Sequence, residues 1–237
     1  MHNALFWIEY IRGLIIPHVE LLEKTFNQRI LTAFETVESE AEQISSKKWE
    51  QLIHQPGDPN ENLSDLAEEA LEEGISYYIT MMGIRQGLLN IFAVGLWHLF
   101  EQNFFFIHRR ELLLPQEEND AELFKLGEVK RRLKQIGINI EKFRSWNKLE
   151  ELRLVANTVK HADGISANQL KKQRPEIFIP PDVRDEFFLR NAPPPTQIFK
   201  PLAGEDLYLT PEEIRLYFQA VKDFWEELMD NIGKGGG

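Results

Sequence analysis

Apolar residues recur at helical spacing along most of the chain. Val19, Leu22, Phe26, Ile30, Ala33, Val37, Ala41 and Ile44 follow three- and four-residue steps, the spacing of one face of an α-helix. The apolar segment Ala4–Ile16 before them predicts a packing helix that ends at Pro17. A second helix is expected from Pro17 to about Ile53, with Pro17 in its first turn, where the missing N–H costs nothing. Pro56, Gly57 and Pro59 then break the chain. Asn62 or Ser64 suits the cap of the next helix, and Asp65, Glu68 and Glu69 place negative charge at its positive dipole end. That helix is expected over 64–111. It is apolar nearly all round from Ile75 to Ile107, the pattern of a central, buried helix. Gly83 and Gly87 suit the close approach of another helix.

Further on, an amphipathic helix is expected from Asp120 to about Ile136, with Gly137 as a left-handed cap. Asn147 or Ser145 starts the next, and Asp163-Gly164 stops it. Ser166 to Gln169 reads as the capping box of a short helix toward Lys172. Prolines are dense from Pro175 to Leu209, an extended region in which a short helix over 182–190 and a small hairpin near Gly204 are expected. Thr210-Pro211-Glu212-Glu213 then opens a helix whose apolar face runs from Ile214 through Phe224 to Leu228. The expected fold is therefore all-α: a multi-helix bundle of about six helices with a Pro-rich irregular segment (175–209) before the C-terminal helix, one domain over 1–233 and a flexible tail at 234–237.

The chain has 237 residues, 43 % of them apolar, enough for a real core. It has no cysteine, which excludes disulfides and thiolate metal sites and is compatible with the expected cytoplasmic location. A net charge of −11 removes any bulk electrostatic footprint for nucleic acid, but leaves room for a small basic site or a basic protein partner. Glu9, Arg12 and Pro17 interrupt the N-terminal apolar stretch, so it reads neither as a signal peptide nor as a span, and no transmembrane segment is expected.

Several chemistries drop out. There is no glycine-rich phosphate loop, no G-x-S-x-G elbow and no H-E-x-x-H. The histidines are His2, His18, His54, His98, His108 and His161, with no two at metal-ligand spacing on one element, so neither metal nor cofactor is expected. His98 and Glu101 are three apart on the central helix and suit a core pair. His108, Arg109 and Arg110 close that helix as cations at its negative end. Lys125, Lys130, Arg131, Arg132 and Lys134 form either a solvated face or a local phosphate-binding surface.

One polar constellation is segregated. Arg153, Asn157, Lys160 and His161 fall at about 0°, 40°, −20° and 80° around a helix, segregated from the apolar core face Leu149, Leu152, Val155, Ala156 and Val159. A guanidinium, an amide, an ammonium and an imidazole on one face suit an anion, and the imidazole adds proton transfer near neutral pH. The same face also suits a solvated surface or an anchor for the Pro-rich segment. A polar residue followed by three others and then a histidine, here Asn157-Thr-Val-Lys-His161 late in a helix of an all-α chain, resembles the HEPN superfamily. Its members are small helical bundles, commonly dimeric, many of them metal-independent endoribonucleases of defence and toxin–antitoxin systems. Their motif has an arginine before the asparagine; here Ala156 holds that place and Arg153 lies one turn earlier. The resemblance implies a homodimer acting on RNA, with His161 as acid or base, Arg153 on the phosphate, Asn157 orienting the histidine and Lys160 helping to bind the ligand. The alternative is a non-catalytic module that uses the face to hold a protein partner or a small anion.

Overall fold

In a computed structural model of the chain, described over residues 3–54, 62–189 and 197–234, nine α-helices are joined by 3-10 and π turns, with no strand among the described residues. The arrangement is the all-α multi-helix bundle that the spacing predicts.

Pro17 does not end the first helix. α1 (Ala4–Tyr10) and α2 (Ile16–Thr25) form one helical course, with π turns at Ile11–Ile15 and Phe26–Ile30. In a regular α-helix a mid-helix proline collides with the carbonyl four residues back; the wider π turn directly before Pro17 relieves that. It also keeps Trp7, Ile11, Ile15 and Val19, all four apart, in the core. The break comes at Glu35 and Thr36 instead, after the 3-10 turn Thr32–Phe34.

α3 (Val37–His54) runs beside the first half of α4 (Leu63–Glu111), which has 49 residues. At 1.5 Å per residue α4 is about 74 Å long. Asn62 caps it, its side chain accepting from Ser64 N at 3.1 Å. Gly74 admits α3: a Cβ there would stand 2.6 Å from the Ala41 carbonyl oxygen. Lys48 joins the pair through Glu69 at 2.9 Å and Glu73 at 3.5 Å.

α4 is central only in its second half; in its first half only the side toward α3 (Leu66, Ala70, Gly74) is buried. In the second half Leu89, Ala93, Leu96, Trp97, Phe100 and Phe104 face α6 (Trp146–His161) and α9 (Pro211–Lys234). Phe224 meets Phe100 and Phe104 edge-on, at ring-centre distances of 4.9 and 5.4 Å. In the first half Leu71, Ile75, Tyr78 and Ile79 stand exposed. By length and composition α4 is apolar enough to cross a membrane, and 28 % of its most apolar 18-residue window is buried.

Gly83 and Gly87 receive a loop, not a helix. A Cβ on Gly87 would lie 2.5 Å from the Leu202 carbonyl oxygen. Fully buried Asn90 donates to the carbonyls of Pro201 at 2.6 Å and Leu207 at 2.9 Å, and Gln86 donates to that of Leu209 at 3.1 Å. One helix face thus satisfies three backbone carbonyls of the Pro-rich segment, whose described part forms no strand ladder. The hairpin near Gly204 is absent: Gly204 (φ +82°) ends the 3-10 turn Pro201–Ala203, and the Asp206 carboxylate accepts from the N–H groups of Phe199 and Lys200. The short helix expected at 182–190 is α8 (Arg184–Leu189), behind a 3-10 turn.

Two other boundaries differ from expectation. The helix expected at 120–136 splits at extended Lys125 into a 3-10 turn, Ala121–Phe124, and α5 (Leu126–Gln135). Gly137 follows with φ +87°, the expected left-handed residue. α7 (Ile165–Gln173) starts before Ser166 with Gly164 as its cap, so no capping box forms there. The box at the start of α9 does form: Thr210 N donates to Glu213 Oε2 at 2.7 Å, and Glu213 N donates to Thr210 Oγ1 at 3.2 Å. The tail residues 235–237 lie outside the described residues.

One ion cluster ties the ends of α6, α7 and α9 together. Arg174 donates to Glu151, Glu176 and Glu213, and the buried Tyr217 hydroxyl donates to Glu151 at 2.8 Å. Burial, followed by the Glu151 charge, pushes the Tyr217 hydroxyl well above its usual pKa.

Candidate functional site

The apolar side of α6 is sealed into the core, with Leu149, Leu152, Val155 and Ala156 fully buried. The register then turns the polar set outward: Arg153 and Asn157 are half-buried, Lys160 and His161 exposed. Ala156, at the position preceding Asn157, is a core residue, so Arg153 is the arginine that this face presents.

The helix ends at His161, two residues earlier than Asp163-Gly164 suggests. Ala162 N donates to the Thr158 carbonyl at 2.8 Å, and Ala162 itself takes φ +56° and ψ −127°. A side chain with a Cβ is strained in that region, which is held only when its surroundings over-determine it. This strain sits directly after the histidine and turns the chain into α7.

Tertiary structure adds a group from α4. Lys160 Nζ lies 3.2 Å from His98 Nε2, and His98 Nδ1 lies 3.1 Å from Glu101 Oε2. An ammonium only donates and a carboxylate only accepts, so the neutral imidazole carries its proton on Nδ1. His98 is therefore an accessible relay between Glu101 and Lys160 rather than the core histidine expected, its side chain 34 % exposed. The i,i+3 pairing with Glu101 was legible in the sequence; the 62-residue connection to Lys160 was not.

The cations on this face differ in freedom. Arg153 Nε donates to Glu150 Oε2 at 3.0 Å, a one-turn pair on the same helix. Among the described residues Lys160 and His161 have no carboxylate partner. None of the four side chains bonds to the described part of 175–209, so the face does not anchor that part of the Pro-rich segment. It also lines neither of two grooves at the far side of α9. A groove of about 520 Å³ opens at the other end of α6, against α9, lined by Arg144, Lys148, Asp223 and Glu227 among others. There Glu227 caps α6, accepting from Ser145 N at 3.2 Å and Ser145 Oγ at 2.6 Å.

Two other sequence candidates resolve differently. The basic residues around α5 are mostly spent on carboxylates: Lys125 on Glu122, Lys130 on Glu141, Arg131 on Glu128, and Arg132 on Glu117 and Glu128. The local phosphate surface therefore has little surplus charge. His108 is not a cation at the helix end. It is 1 % exposed, neither ring nitrogen has a partner among the described residues, and burial assisted by the nearby Arg132 charge lowers its pKa to about 4. No group of three or more His, Asp or Glu side chains suited to hold a metal occurs among the described residues.

Compared with family models, with curated proteins and with solved structures, the chain finds no match.

Proposed function

We propose that the outward face of α6 binds phosphate and that the protein is a cytoplasmic, HEPN-like, metal-independent endoribonuclease acting as a homodimer. One observation carries this reading: an ammonium without a carboxylate partner, Lys160, is steadied by an imidazole from α4 beside the exposed imidazole of His161. Lys160 meets a phosphate oxygen, and Arg153 leaves its surface pair with Glu150, which is worth only about 0–1 kcal/mol, to meet another. His161 then takes the proton of a ribose 2′-hydroxyl as that oxygen bonds to phosphorus. The P–O5′ bond breaks, and the departing oxygen takes a proton from His161 of the second copy in a two-fold dimer. Asn157, one turn before His161, orients the imidazole. The products are a 2′,3′-cyclic phosphate and a 5′-hydroxyl.

The test is incubation of pure protein with single-stranded RNA in EDTA. Cleavage that persists in EDTA and disappears in His161→Ala supports the reading; intact RNA overturns it.

A second reading, a non-catalytic module that binds a small anion or an anionic segment of a protein on the same face, is favoured by Arg153 being already neutralised and by Ala156 standing in the core. It predicts that His161→Ala weakens RNA or phosphate binding while no cleavage is seen in any variant.

A further inference from the structure

The apolar stripe of α4 is open over one half of the helix and buried over the other. Eighteen residues are about five full helical turns, so positions 18 apart share one azimuth. Leu71, Ile75, Tyr78 and Met82 therefore point the same way as Leu89, Ala93, Leu96 and Phe100. The second set is at most 1 % exposed. In the first set Leu71 is 56 %, Ile75 47 % and Tyr78 41 % exposed, and Ile79 beside them 64 %. α3 does not cover this stripe, because it packs on the side of Leu66, Ala70 and Gly74. The open stretch from Leu71 to Ile79 is about 12 Å long, a little over two turns of a docked helix, and Met82 beyond it is half-buried.

The charge around it selects the occupant. α3 and α4 up to Met82 carry nine carboxylates against Lys47 and Lys48, which is seven of the chain's eleven net negative charges. Glu68 and Glu72 border the stripe by helical spacing, both exposed and in no ion pair among the described residues. A second copy placed here would set acid against acid, and an anionic bilayer would be repelled in the same way. A helix with an apolar stripe flanked by Lys and Arg answers both features.

We infer that the arm formed by α3 and the first half of α4 docks a basic amphipathic helix of another protein. The open stripe takes that helix's apolar side chains, and the carboxylates around it meet its cations. This surface is independent of the α6 face and of the nuclease reading.

The probe is an amidated peptide of about 15 Leu and Lys residues patterned as an amphipathic helix, against a peptide of the same composition with the pattern scrambled. Calorimetric titration of the full chain is expected to show the patterned peptide bound at least about tenfold more tightly, with affinity falling as salt rises. Ile75→Glu/Ile79→Glu adds two negative charges yet is expected to weaken binding at least about tenfold, because it removes the apolar contact. Ile79→Glu alone, at the most exposed apolar position bordering the stripe, reads the same effect if the double variant folds poorly. Glu68→Gln/Glu72→Gln is expected to weaken binding about threefold at low salt. Equal affinity for the two peptides, or tighter binding by the Ile→Glu variants, overturns the inference, since charge alone would then explain the affinity. Two further results overturn it: a wild-type dimer that Ile79→Glu makes monomeric, which assigns the face to a second copy, and sedimentation with phosphatidylcholine vesicles that Ile79→Glu abolishes, which assigns it to lipid.

Discussion

Lys160 on α6 donates to Nε2 of His98 on α4 across 3.2 Å, and Glu101 holds the other ring nitrogen at 3.1 Å. The chain thereby fixes one ammonium at the end of α6 without neutralising it. Removing that charge has a defined signature. Lys160→Met should reduce the slope of log affinity against log salt for single-stranded RNA by about 0.7, the value for one lost phosphate contact. His98→Gln, which keeps an acceptor for Lys160, should bind RNA more nearly like wild type than His98→Leu does. Fluorescence anisotropy over a salt series measures both, and an unchanged slope in Lys160→Met removes Lys160 from the site.

Gly83 and Gly87 face the same loop but differ in space. A Cβ at Gly87 would sit 2.5 Å from the Leu202 carbonyl oxygen, whereas one at Gly83 meets only the Ala203 oxygen at 3.5 Å, an ordinary contact. Gly87→Ala should cost about 1–3 kcal/mol by pushing backbone against backbone. Gly83→Ala should gain up to about 1 kcal/mol from helix propensity. Urea unfolding of the two variants reads the opposite signs directly.

His108 contributes a pH dependence of known sign. Its pKa is about 4 in the folded chain and 6.5 for the free side chain. The unfolded chain therefore binds the proton first, so the contribution of His108 to stability is complete above about 6.5 and is lost as pH falls toward about 4. Phe124, Arg132, Glu128 and Glu117 surround it; the arginine opposes protonation and the two carboxylates favour it. His108→Leu removes two unmatched polar atoms and should be neutral or stabilising by about 1 kcal/mol at pH 7. The variant should also lose part of the decline in urea midpoint between pH 6.5 and 4.5, and an unchanged decline would refute the assignment.

Arg174 compensates three carboxylates, of which Glu151 and Glu213 are 9 % exposed. Arg174→Met leaves Glu213 buried without a cation and Glu151 with Lys148 alone, and should cost about 3 kcal/mol. Adding Glu151→Gln should recover part of that loss. A double-mutant cycle in thermal or urea unfolding gives the coupling, and purely additive effects would show that the cluster is not one unit.

Local physical chemistry made much of the secondary structure legible. Asn62, the Thr210–Glu213 box and Gly137 act through neighbours within a few residues, and they behave as their spacing predicts. The outward face of Arg153, Asn157, Lys160 and His161 follows from helical register alone, because the segregated apolar positions of the same helix are buried. Long-range relationships decided the rest. Pro17 reads as a boundary only if the helix must stay regular; the π turn and the core packing of Trp7, Ile11, Ile15 and Val19 carry the chain through it. Gly204 resembles a hairpin turn until Asn90, more than 100 residues away, takes up the backbone carbonyls on either side of it. Position in sequence likewise says nothing of His98 meeting Lys160, nor of Ile75 and Ala93, identical in azimuth, being respectively open and buried. Periodicity states which way a side chain points along its own helix, and only the packing of the other helices states what is waiting there.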